Sequence, residues 1–253
     1  MDYKDSMYIG IDPTCGRKSF TYAALDRELN LLILEDGELD DLVVNCSSQK
    51  SVIAAINAPS GVNHGLVRER MKSEMRAPHQ IRGAEMRLCE YELRQRGIVF
   101  SGTPSSVRLS PAWMQMGFKL YHELENTGFV NYADKKHPYQ FLETNPHASF
   151  CVMIGSVPHS KTSLEGRLQR QLTLYEHGMR IRDPMDFFEE VTRFKIIKGN
   201  WPIELLYQPE ELDALSAAYT AWAVANKAEN VLAVGVRSEG RIYLPVSELK
   251  EAY

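Results

Sequence analysis

The chain lacks any apolar stretch of the length that crosses a membrane. A membrane-spanning helix needs roughly 20 consecutive apolar residues, and no run among the 253 residues approaches that length. The N-terminus also has no apolar signal core. Cysteine is scarce, and the four cysteines are scattered without the spacing of a metal site or a redox pair. These absences predict a cytoplasmic protein with free thiols.

Two further absences concern nucleotide chemistry and charge. The chain has no Gly-Lys-Ser phosphate loop of the Walker type and no internal repeat. This disfavours a sugar-kinase or actin-like phosphotransferase, although such proteins also begin with a strand, an Asp and a hairpin. The formal net charge is −4, which argues against strong non-specific binding of nucleic acid but is compatible with a local basic groove.

The composition that remains is ordinary for a globular protein, and the length predicts a single domain over residues 1–253. Residues 1–6 include a stretch similar to an epitope tag, so we leave them out when predicting the fold. Residues 64–130 are predicted to be a helical and basic insertion, with a helix over residues 83–96. Arg82 and Arg87 in this insertion are expected to contact phosphate. The alternative is a solvated helical face with ion pairs.

The first strand pattern of the chain ends at an acid. An apolar run begins at Tyr8 and ends at the acid Asp12, and Pro13 then breaks the strand pattern. Residues 18–25 and 29–34 predict two further strands with short turns, which together form an antiparallel meander. An acid at a strand end can face a ligand, although Asp-Pro is also a common way to open a turn.

Three later positions place a polar residue at the end of a strand or the start of a helix. Asn57 ends a short apolar run typical of a buried strand, Glu143 ends the next strand, and Asp213 lies early in a helix. The helix dipole alone also favours acids at such starts. If the carboxylates of Asp12, Glu143 and Asp213 meet roughly 4 Å apart, each pair repels by about 4 kcal/mol at an effective dielectric of 20. Such a cluster requires a proton or a cation, and hard oxygen ligands select Mg²⁺ or Mn²⁺.

Several short motifs carry a family resemblance, in order along nearly the whole chain. They are residues 10–12, 56–59, 87–90, 143–150, 160–170 and 212–221, and the closing Gly-Arg-Ile-Tyr-Leu-Pro. The ordered set resembles the DUF429 family, predicted nucleases of the ribonuclease H-like fold. The resemblance implies an α/β fold with a mixed five-stranded sheet, in which three antiparallel strands are followed by parallel ones. It also implies helices on both faces, helical insertions and acids at one sheet edge.

The same resemblance implies roles for particular residues. Asp12, Glu143 and Asp213 are the expected catalytic and metal-binding residues, with Asn57 beside them. Family members usually carry Asp where this chain has Asn57, and a neutral amide weakens a two-metal site. The other matching positions are expected to contact phosphate or substrate, or to form a salt-bridged rim: Arg87, Glu90, Lys161, Arg167 and Arg170.

The expected function is therefore metal-dependent hydrolysis of phosphodiester bonds in DNA or RNA, with Mg²⁺ or Mn²⁺ as cofactor and nucleic acid as partner. The alternative is a nucleic-acid-binding, nucleotide-binding or regulatory module of the same fold that has lost turnover. Asn57 and the acidic net charge favour that alternative. A homodimer is compatible with either function.

Overall fold

The computed structural model describes residues 6–14, 18–73, 83–132 and 137–253. Within those residues the chain forms one mixed sheet of eight strands. They are β1 (Met7–Pro13), β2 (Phe20–Leu25), β3 (Leu31–Gly37), β4 (Val52–Ile56), β5 (Val130–Asn131), β6 (Tyr139–Thr144), β7 (Leu232–Val236) and β8 (Gly240–Leu244). The order across the sheet is β3-β2-β1-β4-β6-β8-β7, and β5 also pairs with β6.

Helices pack on both faces of this sheet. The described residues form α1 (Leu39–Ser47), α2 (Leu66–Ser73), α3 (Leu88–Gln95), α4 (Ala112–Asn126), α5 (Pro146–Ile154), α6 (Leu164–Glu176), α7 (Asp186–Glu190), α8 (Arg193–Ile197) and α9 (Pro209–Asn226). Helices α1 and α4 bury their apolar residues on one face, and α5, α6 and α9 on the other. In this described part of the chain, every helix is too short or too polar to span a membrane.

The mixed character of the sheet follows the sequence pattern. Strands β1, β2 and β3 form the predicted antiparallel meander. Strands β1, β4 and β6 are parallel neighbours, and every residue of β4 is buried, as its continuous apolar run predicts. Parallel strands bring their carboxyl ends to the same edge, so β1 and β4 end side by side.

The expectation of five strands is wrong for this chain. The apolar runs near residues 232–236 and 240–244 form β7 and β8. They pair as a hairpin, and β8 then joins β6 in parallel, with Glu143 opposite Ile242. The sheet is thereby extended beyond the five strands that the resemblance implies. Strand β5 has only two residues, which is too short for a periodic pattern to predict it.

Helix α3 is shorter than the helix predicted over residues 83–96. It begins at Leu88, because Arg87 is extended and serves as the N-cap. The Glu90 carboxylate accepts a hydrogen bond from the Arg87 backbone amide, as the glutamate of a capping box does. The start of the helix is therefore set by the same two residues that the family motif contains.

Close packing of α9 against β1 depends on Gly10. A Cβ atom at Gly10 would lie well inside van der Waals contact with backbone atoms of Ala214 and Ala218. The side of α9 that faces the strand consists of small residues, including the fully buried Ala217. The close approach brings the first turns of α9 to the end of β1.

We expect Gly10→Ala to lower the free energy of unfolding by about 3 kcal/mol, because the new methyl group meets backbone atoms that cannot rotate away. Urea denaturation followed by circular dichroism measures the change. Gly61→Ala is the matched control, since a Cβ atom there stays at least 3.4 Å from its neighbours. That control is expected to change stability by less than about 0.5 kcal/mol. Equal midpoints for the two variants would contradict the role assigned to Gly10.

Candidate active site at the end of β1

Asp12 and Asn57 lie next to each other because β1 and β4 are parallel and in register. Ile11 pairs with Ile56, so the residues that follow them are neighbours on the same face of the sheet. The side-chain amide of Asn57 donates a hydrogen bond of 2.6 Å to Asp12 Oδ1. Asp12 is only 5% exposed, so its carboxyl group is largely removed from water.

Asp213 reaches the same place from α9 and is paired with Lys161. The Lys161 ammonium donates a hydrogen bond of 2.6 Å to Asp213 Oδ2. The loop that carries Lys161 is held against α6, because Gly166 has no side chain where the Ser160 carbonyl approaches. This contact joins the two ends of the motif of residues 160–170 and fixes the position of Lys161.

The electrostatics of the site are set by the burial of two carboxyl groups and by the charged side chains around them. Burial and the charge of Asp213 raise the pKa of Asp12 to about 8, against the opposite effects of Asn57 and Lys161. Burial also raises the pKa of Asp213, although Lys161 opposes it. For Lys161, burial alone lowers the pKa, but the two carboxylates reverse that effect and leave it raised. Burial is therefore the main cause of the raised pKa of both carboxyl groups.

These side chains line a cavity of about 520 Å³, a size typical of sites for small molecules and cofactors. The wall also includes Phe100, Trp113, His147 and the guanidinium group of Arg170. Burial and the nearby positive charges lower the pKa of His147, so its ring is neutral at physiological pH. The sequence does not predict the two aromatic residues, because no motif links them to the acids, and the histidine lies in the motif of residues 143–150 without a role that the motif assigns to it.

Glu143 lies in the neighbouring strand, but its carboxylate points to the other face of the sheet. Glu143 pairs with Ile56 and therefore shares the face of that residue, whereas Asp12 and Asn57 lie one position further along their strands. The structure brings Asp12, Asn57 and Asp213 together and places Glu143 in a separate cluster. Over the described ranges, no group of three acidic, histidine or cysteine side chains is placed to hold one metal ion.

The cluster that contains Glu143 is centred on Arg87, which is 2% exposed. The Arg87 guanidinium donates to both oxygens of Glu143, at 2.5 and 3.0 Å, and to Glu90 at 2.8 Å. Ser60 donates its amide and hydroxyl to Glu143 at 2.8 Å, and Thr103 donates to Glu90. Arg87 and Glu90, which we expected to contact substrate or to form a rim, are thus buried in an ion-pair network.

Glu239 belongs to the same region, and its burial is not predicted from the sequence. Its carboxylate is fully buried and accepts backbone hydrogen bonds from His64, Leu66 and Leu88. Leu66 and Leu88 are the first residues of α2 and α3, so one carboxylate stabilises two helix N-termini. The Glu239 carbonyl also accepts a hydrogen bond from Arg87. A glutamate in a hairpin turn is ordinarily exposed, and nothing in its neighbours indicates otherwise.

The remaining predicted substrate-binding residues have different places. Arg82 lies outside the described residues. Arg167 donates to three backbone carbonyls within residues 203–207 and fixes the segment before α9. Arg170 lines the cavity while donating to two backbone carbonyls. Lys161 is therefore the predicted basic residue that contacts an acid of the cavity directly.

Comparison with known proteins gives a family but no characterised relative. The model of the family described as "Protein of unknown function (DUF429)" matches residues 10–234. That range includes Asp12, Asn57, Lys161 and Asp213. No curated protein and no solved structure matches the chain significantly.

Proposed function

The chain belongs to the DUF429 family, and from its cavity we propose that it is a metal-dependent nuclease that hydrolyses phosphodiester bonds of DNA or RNA. The observation that carries the proposal is the pair of buried carboxyl groups, Asp12 and Asp213, in one cavity with two cationic side chains. A ribonuclease H-like fold is part of the proposal. The strands β3-β2-β1-β4-β6 have the antiparallel and parallel arrangement that such a fold implies, and β5, β7 and β8 are additions to it.

The residues of the cavity fit one Mg²⁺ or Mn²⁺ ion. Asp12 and Asp213 offer the carboxylate oxygens that these hard cations prefer, and burial, which raises the pKa of both groups, leaves those oxygens poorly hydrated. When bound, such an ion polarises a phosphoryl oxygen and lowers the pKa of a bound water. Asn57 can offer an amide oxygen but adds no charge.

The other residues of the cavity would bind and orient the substrate. The Lys161 side chain is 45% exposed, so it is free to move from Asp213 to a substrate phosphate. Arg170 is held in place by its carbonyl contacts and adds a fixed positive charge. Phe100 and Trp113 offer aromatic surface on which a base can stack, a contact worth about 1–3 kcal/mol per base.

The arrangement supports chemistry with a single ion. Asn57 is neutral, and the Glu143 carboxylate is already bound by Arg87 and Ser60. A second ion would therefore lack charged ligands from these positions. We expect slow hydrolysis that requires metal in roughly the millimolar range, as for a weak site.

Cleavage assays with single- and double-stranded DNA and RNA, in Mg²⁺ or Mn²⁺, test the proposal. The wild type is expected to cleave weakly, and Asp213→Asn to lose activity by at least about 100-fold, because a ligand of the ion is removed. Asn57→Asp is expected to raise activity, since it adds the missing charge. Glu229→Gln, which removes an exposed acid elsewhere, serves as the control. Full cleavage by Asp213→Asn would contradict the proposed site.

The second candidate is a binding module without turnover, favoured by the ion pair between Lys161 and Asp213 and by the neutral Asn57. Fluorescence anisotropy with labelled oligonucleotides separates the two functions. If neither the wild type nor Asn57→Asp cleaves any substrate, but oligonucleotides bind and Lys161→Met weakens that binding, the binding function is the correct one.

A further inference from the structure

A second cavity lies where the sheet divides. One side of β6 pairs with β4, while the other side pairs first with β5 and then with β8. Strand β5 reaches only to Phe141, and β8 joins β6 from Glu143, which leaves a crevice of about 370 Å³. Crevices where neighbouring strands diverge are frequent ligand sites in α/β sheets. Among the described residues, none that lines this crevice also lines the Asp12–Asp213 cavity.

Two arginines of the β7–β8 hairpin line the crevice. Arg237 is exposed in the turn, and Arg241 is half-buried in β8. Arg241 is held in position by Tyr243, because it donates to the tyrosine hydroxyl at 2.6 Å and its guanidinium lies 5.3 Å from the ring centroid. Within the described ranges, neither arginine forms an ion pair with a carboxylate.

The acid at this crevice has other partners and pairs with neither of the two arginines. Glu143 lines the crevice, but Arg87 binds both of its oxygens and Ser60 donates twice to one of them. The rest of the wall includes Asn131 and the half-buried ring of Tyr132. The crevice thus combines two arginines that have no carboxylate partner in the described ranges with a polar side chain and an aromatic surface.

We propose that this crevice binds a small ligand through a phosphate group, which Arg237 and Arg241 hold. The planar guanidinium group presents several N–H donors in a geometry that matches phosphate oxygens. Tyr132 then lies beside the part of the ligand to which the phosphate is attached. A crevice of about 370 Å³ is at the small end of ligand sites, which favours a free phosphate ion or a mononucleotide over a longer polymer.

Titration with inorganic phosphate and with adenosine 5′-monophosphate, followed by amide NMR in the presence of EDTA, tests this site. We expect both probes to shift the amides of residues 237–241. Arg237→Gln is expected to weaken binding by about tenfold, the effect of losing one charge-assisted hydrogen bond. Arg193→Gln, which removes an exposed arginine of α8, is the matched control and is expected to leave binding unchanged. Tighter binding of the nucleotide than of free phosphate would identify a nucleotide as the ligand, and equal binding would identify the ion or its small esters.

Unchanged affinity in Arg237→Gln would overturn the proposal, as would shifts confined to the cavity around Lys161. Arg237 is the first choice for substitution because its side chain makes no hydrogen bond in the described part of the chain. The Arg241 side chain, in contrast, donates a hydrogen bond to the Tyr243 hydroxyl. Lys161→Met is expected to leave the shifts at residues 237–241 intact. The outcome is therefore independent of whether the Asp12–Asp213 cavity is a nuclease site.

Discussion

Asp12→Asn is expected to abolish hydrolysis and, at the same time, to stabilise the metal-free protein above pH 8. Asp12 ends a central strand and is held by Asn57, so it is the best-fixed ligand that the cavity offers to an ion. An amide in its place carries no charge. The expected loss is at least about 1,000-fold, beyond the roughly 10- to 100-fold effect of losing a residue that only orients a ligand.

The stability effect of Asp12→Asn has the opposite sign and follows from protonation. In the folded protein the pKa of Asp12 is raised from 3.8 to about 8, so between those pH values the folded state holds a proton that the unfolded state releases. Stability in EDTA should therefore fall as the pH rises from about 4 to about 8 and then level off. Asn has no such proton, and above pH 8 the variant is expected to be more stable by on the order of a few kcal/mol.

Urea unfolding of both proteins in EDTA between pH 4 and pH 9 measures this difference. Glu229→Gln is the control, because that side chain is exposed and far in sequence from the site. The control is expected to keep the wild-type dependence on pH. The same dependence in Asp12→Asn and in the wild type would show that Asp12 is not the buried acid responsible.

Arg87→Met is expected to lower the free energy of unfolding by about 4 kcal/mol. Arg87 is almost completely buried and is bound to two buried carboxylates, Glu90 and Glu143. Removing one partner of a buried ion pair leaves an uncompensated charge, which typically costs about 3–5 kcal/mol. Urea denaturation measures the loss, and purification at low temperature guards against unfolding during preparation.

Arg68→Met is the matched control for Arg87→Met. Arg68 forms an ion pair with Glu85, but both side chains are more than half exposed, and such pairs contribute roughly 0–1 kcal/mol. The triple variant Arg87→Met, Glu90→Gln, Glu143→Gln is expected to recover part of the lost stability, because the unpaired charges are removed as well. A loss below about 1 kcal/mol in Arg87→Met would contradict the central place of this residue in the cluster.

The pattern of polar strand ends correctly indicates that Asp12 and Asn57 lie together, because parallel neighbours in register end together. The same pattern misplaces Glu143 for a physical reason. Strand β6 continues to Thr144, whereas the sequence pattern places its end at Glu143. A side chain one position out of step points to the opposite face of the sheet. A single sequence does not define the end of a strand to within one residue. It therefore does not predict to which face of the sheet such an acid points.

The burial of Arg87 depends on partners that are distant in the sequence. Glu143 is 56 residues away and the Glu239 carbonyl 152 residues away. Locally, Arg87 lies in a segment rich in both charges, which is typical of a solvated helical face. Only the tertiary contacts bring the β7–β8 hairpin and the end of β6 over it, and no local periodicity carries that information.

The two helix starts that share the Glu239 carboxylate have a consequence for how the chain folds during synthesis. The Leu66 and Leu88 amides precede that carboxylate by 173 and 151 residues in the sequence. Both helices are therefore synthesised long before the glutamate that stabilises their N-termini. Helix α3 has only eight residues, a length that is marginal on its own in water. A loop of that size closes slowly compared with the rate at which local contacts form. The β7–β8 hairpin therefore stabilises the start of both helices late in synthesis. Until Glu239 has been made, the N-termini of α2 and α3 lack the carboxylate that accepts their hydrogen bonds.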